Sequence, residues 1–197
     1  MKFLKKTLLP LFLLTSIIGY TNAAWSDYIP FKWFAKKGKE KITQELLEAI
    51  LNDADVTEIE KLIDQGADVN FQDQSGIAQV LCLAIAKNNY AVVELLIARG
   101  ANVNLKDYFV GITPIFAALQ NPHILKLLLE KGANPNVQII SGQTPLIIAI
   151  AENQIEIVKI LLANGADKTI ADLDGKTAVD YAKEQNLDEI IVLLENN

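Results

Sequence analysis

The chain has 197 residues, with 18 basic against 24 acidic side chains, a formal net charge of −6 and a hydrophobic share of 51%. The negative balance argues against nucleic acid, whose phosphates need a basic face. One cysteine, Cys82, and one histidine, His123, leave no partner for an intramolecular disulfide and too few ligands for a zinc centre.

The chain opens with Lys2, Lys5 and Lys6, a largely apolar run over residues 8–18, and then Thr21-Asn22-Ala23-Ala24. A basic start, about eleven apolar residues and a small-residue end form the pattern of a secretory signal peptide. The run is shorter than the ~20 residues that a membrane-spanning helix needs. Residues 1–23 are therefore expected to be a cleaved signal peptide. Cleavage after Ala24, or retention as an N-terminal anchor, are the alternatives. No cysteine follows the run, so there is no thiol to carry a lipid. Loss of residues 1–23 removes three lysines and no acidic residue, which takes the charge from −6 to −9. The expected location is the periplasm of a bacterium, with secretion or anchoring through an uncleaved N-terminal helix as the alternatives.

Residues 24–41 form an aromatic and basic linker in an otherwise acidic chain. They hold Trp25, Tyr28, Phe31, Trp33 and Phe34 together with Lys32, Lys36, Lys37, Lys39 and Lys41. Three roles stay open: covering the exposed end of whatever follows, gripping a partner or the protein's own acidic surface, or peripheral membrane contact. In the last case Trp25, Trp33, Lys36 and Lys37 would meet anionic lipid, where both residue types are favoured.

From there a motif recurs: Gly66-Ala67-Asp68-Val69-Asn70, Gly100-Ala101-Asn102-Val103-Asn104, Gly132-Ala133-Asn134-Pro135-Asn136 and a worn copy, Gly165-Ala166-Asp167-Lys168-Thr169. The steps between the glycines are 34, 32 and 33 residues. A period in that range, with Leu/Ile-rich stretches between, marks an array of helical repeats. Apolar residues at helical spacing, such as Ile155, Val158, Leu161 and Leu162, form a stripe that one helix pair cannot bury, whereas stacked neighbours can. The Gly supplies the positive φ that ends a helix, and Pro114 and Pro145 sit where a helix begins and a missing N–H is harmless.

The clearest unit, residues 137–169, carries Gly142-Gln143-Thr144-Pro145-Leu146, a second helix at 155–162 and the closing Gly165. This resembles the ankyrin repeat. The unit at 105–136 carries Gly111-Ile112-Thr113-Pro114-Ile115 and is two residues shorter where its helices meet, beside Pro122. In the unit at 71–104, Gln79-Val80-Leu81 stands in place of Thr-Pro-Leu, with one extra residue after Gly76. The unit at 42–70 resembles an N-terminal cap, and that at 170–197 ends in a polar Glu195-Asn196-Asn197 that resembles a terminal cap. The resemblance implies an all-α repeat solenoid of five stacked helix-turn-helix units with short β-hairpin loops. The His that follows Thr-Pro-Leu in the family is absent. Cys82, Phe116, Ile147 and Asp180 stand there, so Thr113 and Thr144 must find other hydrogen-bond partners.

Catalytic chemistry lacks parts. His123 falls at the start of an outer helix, where it is expected to be solvated, and Cys82 falls within an inner-helix pattern as a small apolar residue. Asp172-Leu173-Asp174-Gly175 has a faint likeness to a calcium loop, but Tyr181 occupies the position that needs a bidentate Glu. No cofactor is expected, and the chain is read as not an enzyme.

Binding is the reading that remains. In ankyrin-like arrays the hairpin tips and inner helices line a concave groove, and the tips here carry Phe71, then Tyr108, Phe109 and Val110, then Ile139 and Ile140, then Ile170 and Leu173. Successive apolar tips make a contact stripe unless they fold back on each other. Gln143 is expected in the polar rim. The expected protein is a monomeric, non-enzymatic binding module for an unidentified protein partner. Exported proteins of this resemblance include immunity proteins that neutralise a periplasmic toxin and envelope proteins that support defence against oxidants. A secreted effector that binds host proteins is the alternative. N-terminal sequencing of the exported protein is expected to read Ala24-Trp25-Ser26, and a mature chain that still begins at Met1 would establish the anchored form.

Overall fold

The computed structural model describes residues 38–72 and 79–196. The expected signal peptide, and Trp25, Trp33, Lys36 and Lys37 of the linker, lie outside the described residues. The described residues fall into two compact units, divided between Asn102 and Val103. The described residues hold ten α-helices and one 3₁₀ turn, and no strand beyond an isolated antiparallel bridge between Gln72 and Gln79.

In the first unit, α1 (Lys39–Leu51) pairs with α2 (Val56–Asp64), and α3 (Val80–Ala86) pairs with α4 (Tyr90–Ala98). The inner helices α1 and α3 pack together, as do the outer helices α2 and α4. Helix α1 starts at Lys39, so the last residues of the expected linker are helical. Its residue Thr43 is buried, donates to Lys39 O at 2.8 Å and accepts from Asp68 N at 2.8 Å, which ties the first helix to the first Gly-Ala-Asx turn. Asp55 starts α2 by accepting from Glu58 N at 2.9 Å, and Asn89 starts α4 by accepting from Val92 N. Arg99 spans α2 by pairing with Glu60 and Asp64, each at 2.5 Å.

The second unit contains α5 (Pro114–Ala117) with the 3₁₀ turn Ala118–Gln120, then α6 (Pro122–Glu130), α7 (Pro145–Ala151), α8 (Ile155–Ala163), α9 (Ala178–Glu184) and α10 (Asp188–Asn196). Each inner helix packs on the outer helix of its own repeat, and α8 also meets the outer helices α6 and α10 on either side. That double contact widens its buried face. Ile157, Val158, Ile160 and Leu161 are buried, whereas Ile155 and Leu162 of the expected stripe are half-buried. The stripe faces two neighbours rather than one, so its width exceeds what a single helix pair would ask for.

Helix junctions explain the shortened repeat. Four junctions turn through a residue with left-handed backbone, at Asp53, Asn88, Asn153 and Asn186, with φ between 54° and 56°. Asn and Asp tolerate that conformation better than other non-glycine residues. The 105–136 repeat lacks such a residue. Its inner helix is cut to four residues, a 3₁₀ turn follows, and Asn121 starts the next helix by accepting from His123 N and Ile124 N. Pro122 takes the first helical position as its missing N–H allows.

The recurring Asn residues link one repeat to the next. Asn70 Nδ2 donates to Gly100 O at 3.0 Å while its Oδ1 accepts from Asn102 N at 2.7 Å, within the first unit. In the second unit Asn104 does the same to Gly132 O and Asn134 N, and Asn136 to Gly165 O and Asp167 N. One carboxamide thus satisfies both a helix-end carbonyl and the N–H two residues on, groups that a helix terminus leaves unpaired. Thr169, in the worn copy, has no carboxamide. Its hydroxyl instead donates to Asp167 of its own turn at 2.6 Å.

Asn136→Ala removes both bonds and is expected to lower stability by about 1–2 kcal/mol, given the usual net worth of a hydrogen bond. Asn136→Asp keeps the acceptor and loses the donor, so its denaturation midpoint should fall between those of the parent and the Ala variant.

Candidate functional site

The three hairpin tips of the second unit are built on one plan. In the 139–143 tip, Ile139 N donates to Gln143 O at 3.1 Å and Gly142 N donates to Ile139 O at 2.8 Å. In the 172–176 tip, Asp172 N donates to Lys176 O and Gly175 N to Asp172 O, each at 3.0 Å. At both tips the first residue is the more covered, Ile139 buried and Asp172 half-buried, the second, Ile140 or Leu173, is exposed, and the fourth is Gly with positive φ. Gly142 has φ +80°, and a side chain there would meet Leu173 N at 2.7 Å, so the turn conformation and the close approach of the next tip both require glycine. The 107–112 tip is one residue longer, with Asp107 N donating to Ile112 O at 2.8 Å. The Asp107 carboxylate accepts from Phe109 N and Val110 N, each at 2.7 Å, and from Ile112 N.

Backbone bonds run from tip to tip. Ile140 N donates to Val110 O at 2.7 Å, and Leu173 N donates to Ser141 O at 3.1 Å. The outward residues of three successive tips therefore lie in sequence: Tyr108 at 70% exposure, Phe109 at 61%, Ile140 at 69% and Leu173 at 79%. Four large apolar side chains exposed on hydrogen-bonded neighbours form an apolar strip.

The expected site residues divide on this geometry. Tyr108, Phe109 and Ile140 lie together on the strip. Val110 and Ile170 are half-buried. Two expectations are corrected. Ile139 is buried, at 3% exposure, because it holds the inward first position of its turn. Gln143 is buried, at 4%, because it closes that turn from below rather than forming a rim. Phe71 is half-buried and belongs to the first unit, next to a tip outside the described residues.

Gln143 belongs to a polar chain under the strip. Ser141 Oγ donates to Gln143 Oε1 at 3.1 Å, Gln143 Nε2 donates to the Tyr181 hydroxyl at 3.2 Å, and that hydroxyl donates to Asp172 Oδ2 at 2.6 Å. The other Asp172 oxygen accepts from Asp174 N and Lys176 N. Burial, then the Asp172 carboxylate that accepts its proton, push the Tyr181 phenol up to about 12. Lys176 lies 5.7 Å above the Tyr181 ring and pairs with Glu184 at 2.6 Å, which raises its own pKa. In the sequence alone, Asp172 and Tyr181 read only as an incomplete calcium loop. The signal that marks them is Asp at the first position of a turn ending in Gly, with Tyr nine residues on.

Nothing in the described residues assembles a metal site, because no three His, Cys, Asp or Glu side chains come together as potential ligands. His123 is exposed, at the start of α6. Cys82 Sγ donates to Gln79 Oε1 at 3.2 Å. No helix of the described residues is long and apolar enough to cross a membrane.

Paired helices, Gly-Ala-Asx turns linked by carboxamides, and tips that project beyond the inner helices define an all-α array of helix-pair repeats. The family profile described as Ankyrin repeats (3 copies) matches residues 46–139 and 115–197. The chain belongs to the ankyrin-repeat family, whose arrays are protein–protein interaction modules. It is similar to an ankyrin repeat protein of Rickettsia bellii, 34% identical over 107 residues, covering 50% of this chain and 30% of the relative. It is also similar to ankyrin repeat and SOCS box protein 6 of Mus musculus, 33% identical over 95 residues, covering 47% of this chain and 23% of the relative. A fowlpox virus ankyrin repeat protein is 32% identical over 71 residues, covering 36% of this chain and 15% of the relative. The chain therefore spans less than a third of the length of these relatives.

The Tyr181 phenol titrates above the value near 10 of an unfolded tyrosine, so its contribution to stability is present below pH ~10 and is lost as pH rises towards 12. An alkaline ultraviolet titration should show one tyrosine ionising later than the others. Tyr181→Phe should abolish that late step and lower stability by about 1–2 kcal/mol, whereas a late step that survives the substitution would place the perturbed phenol elsewhere.

Proposed function

We propose that this protein is an exported, non-enzymatic ankyrin module that binds a protein partner through the apolar strip of Tyr108, Phe109, Ile140 and Leu173. The observation that carries the proposal is the exposure of all four on tips joined by backbone hydrogen bonds. An apolar strip on a fixed frame loses little conformational entropy when it is covered, and aromatic anchors contribute disproportionately to binding. The polar chain from Ser141 to Asp172 supports the strip from beneath, so Ile140 and Leu173 meet a partner on preset backbones.

The basic, apolar and small-residue pattern of residues 1–23 supports a periplasmic location, and the acidic balance favours partners with basic surface. An immunity or inhibitor role, in which the module occludes a partner's working surface, suits a strip that offers contact area and no reactive group. An envelope stress-support role uses the same contact as a scaffold. The two differ in whether the partner loses activity on binding.

Affinity capture from a periplasmic extract tests the proposal. Phe109→Asp and Ile140→Asp are each expected to keep the helical circular dichroism of the parent and to reduce partner capture at least about tenfold, the scale of losing one hot-spot contact. Capture that both variants leave unchanged would place the interface elsewhere.

A further inference from the structure

Before the inner helices α3, α5, α7 and α9, the side chain at the preceding position is paired in three cases and unpaired in one, while Gly38 precedes α1. Gln79 accepts from Cys82 Sγ at 3.2 Å. Thr144 Oγ1 accepts from Ile147 N at 3.2 Å. Thr177 Oγ1 donates to Asp180 Oδ2 at 2.6 Å. Thr113 is 3% exposed, and its hydroxyl has no hydrogen-bond partner among the described residues. Phe116, fully buried in the place of the family's His, offers no acceptor.

The same repeat is weakened twice more. Helix α5 has four residues where α3, α7 and α9 each have seven, and it continues only as a 3₁₀ turn, whose hydrogen bonds are poorer. No residue from 113 to 121 takes the left-handed turn that closes the other four junctions. A buried hydroxyl without a partner, a truncated helix and a substitute junction all act on the segment from Thr113 to Asn121.

We infer that this segment is a conformational release point: it opens locally while the rest of the 103–197 unit stays folded. The opening couples to the strip through Ile112, whose N–H and carbonyl both bond to Asp107, the residue that holds Tyr108 and Phe109 in their tip. Release of α5 from Thr113 frees Ile112 and lets the aromatic tip adjust, while the Ile140 and Leu173 tips stay fixed on the Gln143 and Tyr181 chain. The inference concerns the repeat itself and does not depend on what binds the strip.

Native-state amide hydrogen exchange on the intact chain tests this directly, since exchange reads the free energy of local opening. The amides of residues 115–119 are expected to exchange at least about tenfold faster than those of the equivalent residues 146–150, as one unpaired buried polar group alone accounts for such a factor. Thr113→Val replaces the unpaired hydroxyl with a methyl and should slow exchange at 115–119 by about fivefold or more. Thr144→Val deletes a bonded hydroxyl and should instead accelerate exchange at 146–150. Equal protection of the two helices in the parent would overturn the inference, with no variant needed. Faster exchange at 115–119 in Thr113→Val would also overturn it, by showing that the hydroxyl is satisfied.

Discussion

The structure depends on the two-sided hydrogen bonding of a carboxamide that recurs from repeat to repeat. A helix pair of nine-residue and seven-residue helices cannot stand alone, because short helices are marginal in water and their apolar faces need cover. Stacking supplies the cover but leaves the turns between repeats with unpaired backbone groups. Asn70, Asn104 and Asn136 meet this by donating to the next Gly carbonyl and accepting from the N–H two residues later. A carboxylate would lack the donor and a hydroxyl would lack the reach. Thr43 makes the corresponding acceptor contact to Asp68 N at the first turn, from a helix rather than a loop.

The missing His shows how one packing site can be satisfied by different chemistry. Asp180 accepts from the Thr177 hydroxyl and N–H together, so the last helix has a charged replacement. Those bonds also hold the Asp180 carboxyl below its ordinary pKa. Gln79 and Cys82 exchange the roles of hydroxyl and ring for carboxamide and thiol. Thr144 turns its oxygen to Ile147 N and becomes a helix cap. Only at Thr113 does the exchange leave a buried polar atom without a partner among the described residues. That repeat also carries the longest described tip and both aromatics of the strip, so its least restrained inner helix sits beneath its largest contact residues.

The tips divide labour between inward and outward positions. Inward, Asp107 and Asp172 collect backbone N–H groups, and Ile139 fills the same position with apolar volume. At that tip Gln138 supplies the polar contacts from one residue earlier, donating to Gly142 O at 2.6 Å and Ala171 O at 3.1 Å. Outward, the side chains of Tyr108, Phe109, Ile140 and Leu173 make no comparable contribution to the frame, which is why a solvent-facing apolar side chain at each successive tip reads as a surface for something else.

Much of the frame was legible because it repeats. Spaced Gly-Ala-Asx motifs, Thr-Pro steps and Leu/Ile periodicity are local, and each follows from the backbone needs of a helix start or end. Pro122 beside a two-residue deletion marked the altered junction from sequence, and Tyr108, Phe109 and Ile140 were marked as tip residues. Which of two adjacent apolar residues points outward was not legible. Ile139 and Ile140 are chemically identical, and only the hydrogen bonds of their turn assign one to the core and the other to solvent. Gln143 reads as surface by its polarity, yet it lies buried because Tyr181, 38 residues later, brings a hydroxyl to it. By itself the sequence determined the repeat, its period and its family, since those rest on short-range chemistry. The tertiary structure alone decided burial at the tips, the polar chain beneath them and the unpaired Thr113, because each depends on side chains brought together from distant positions.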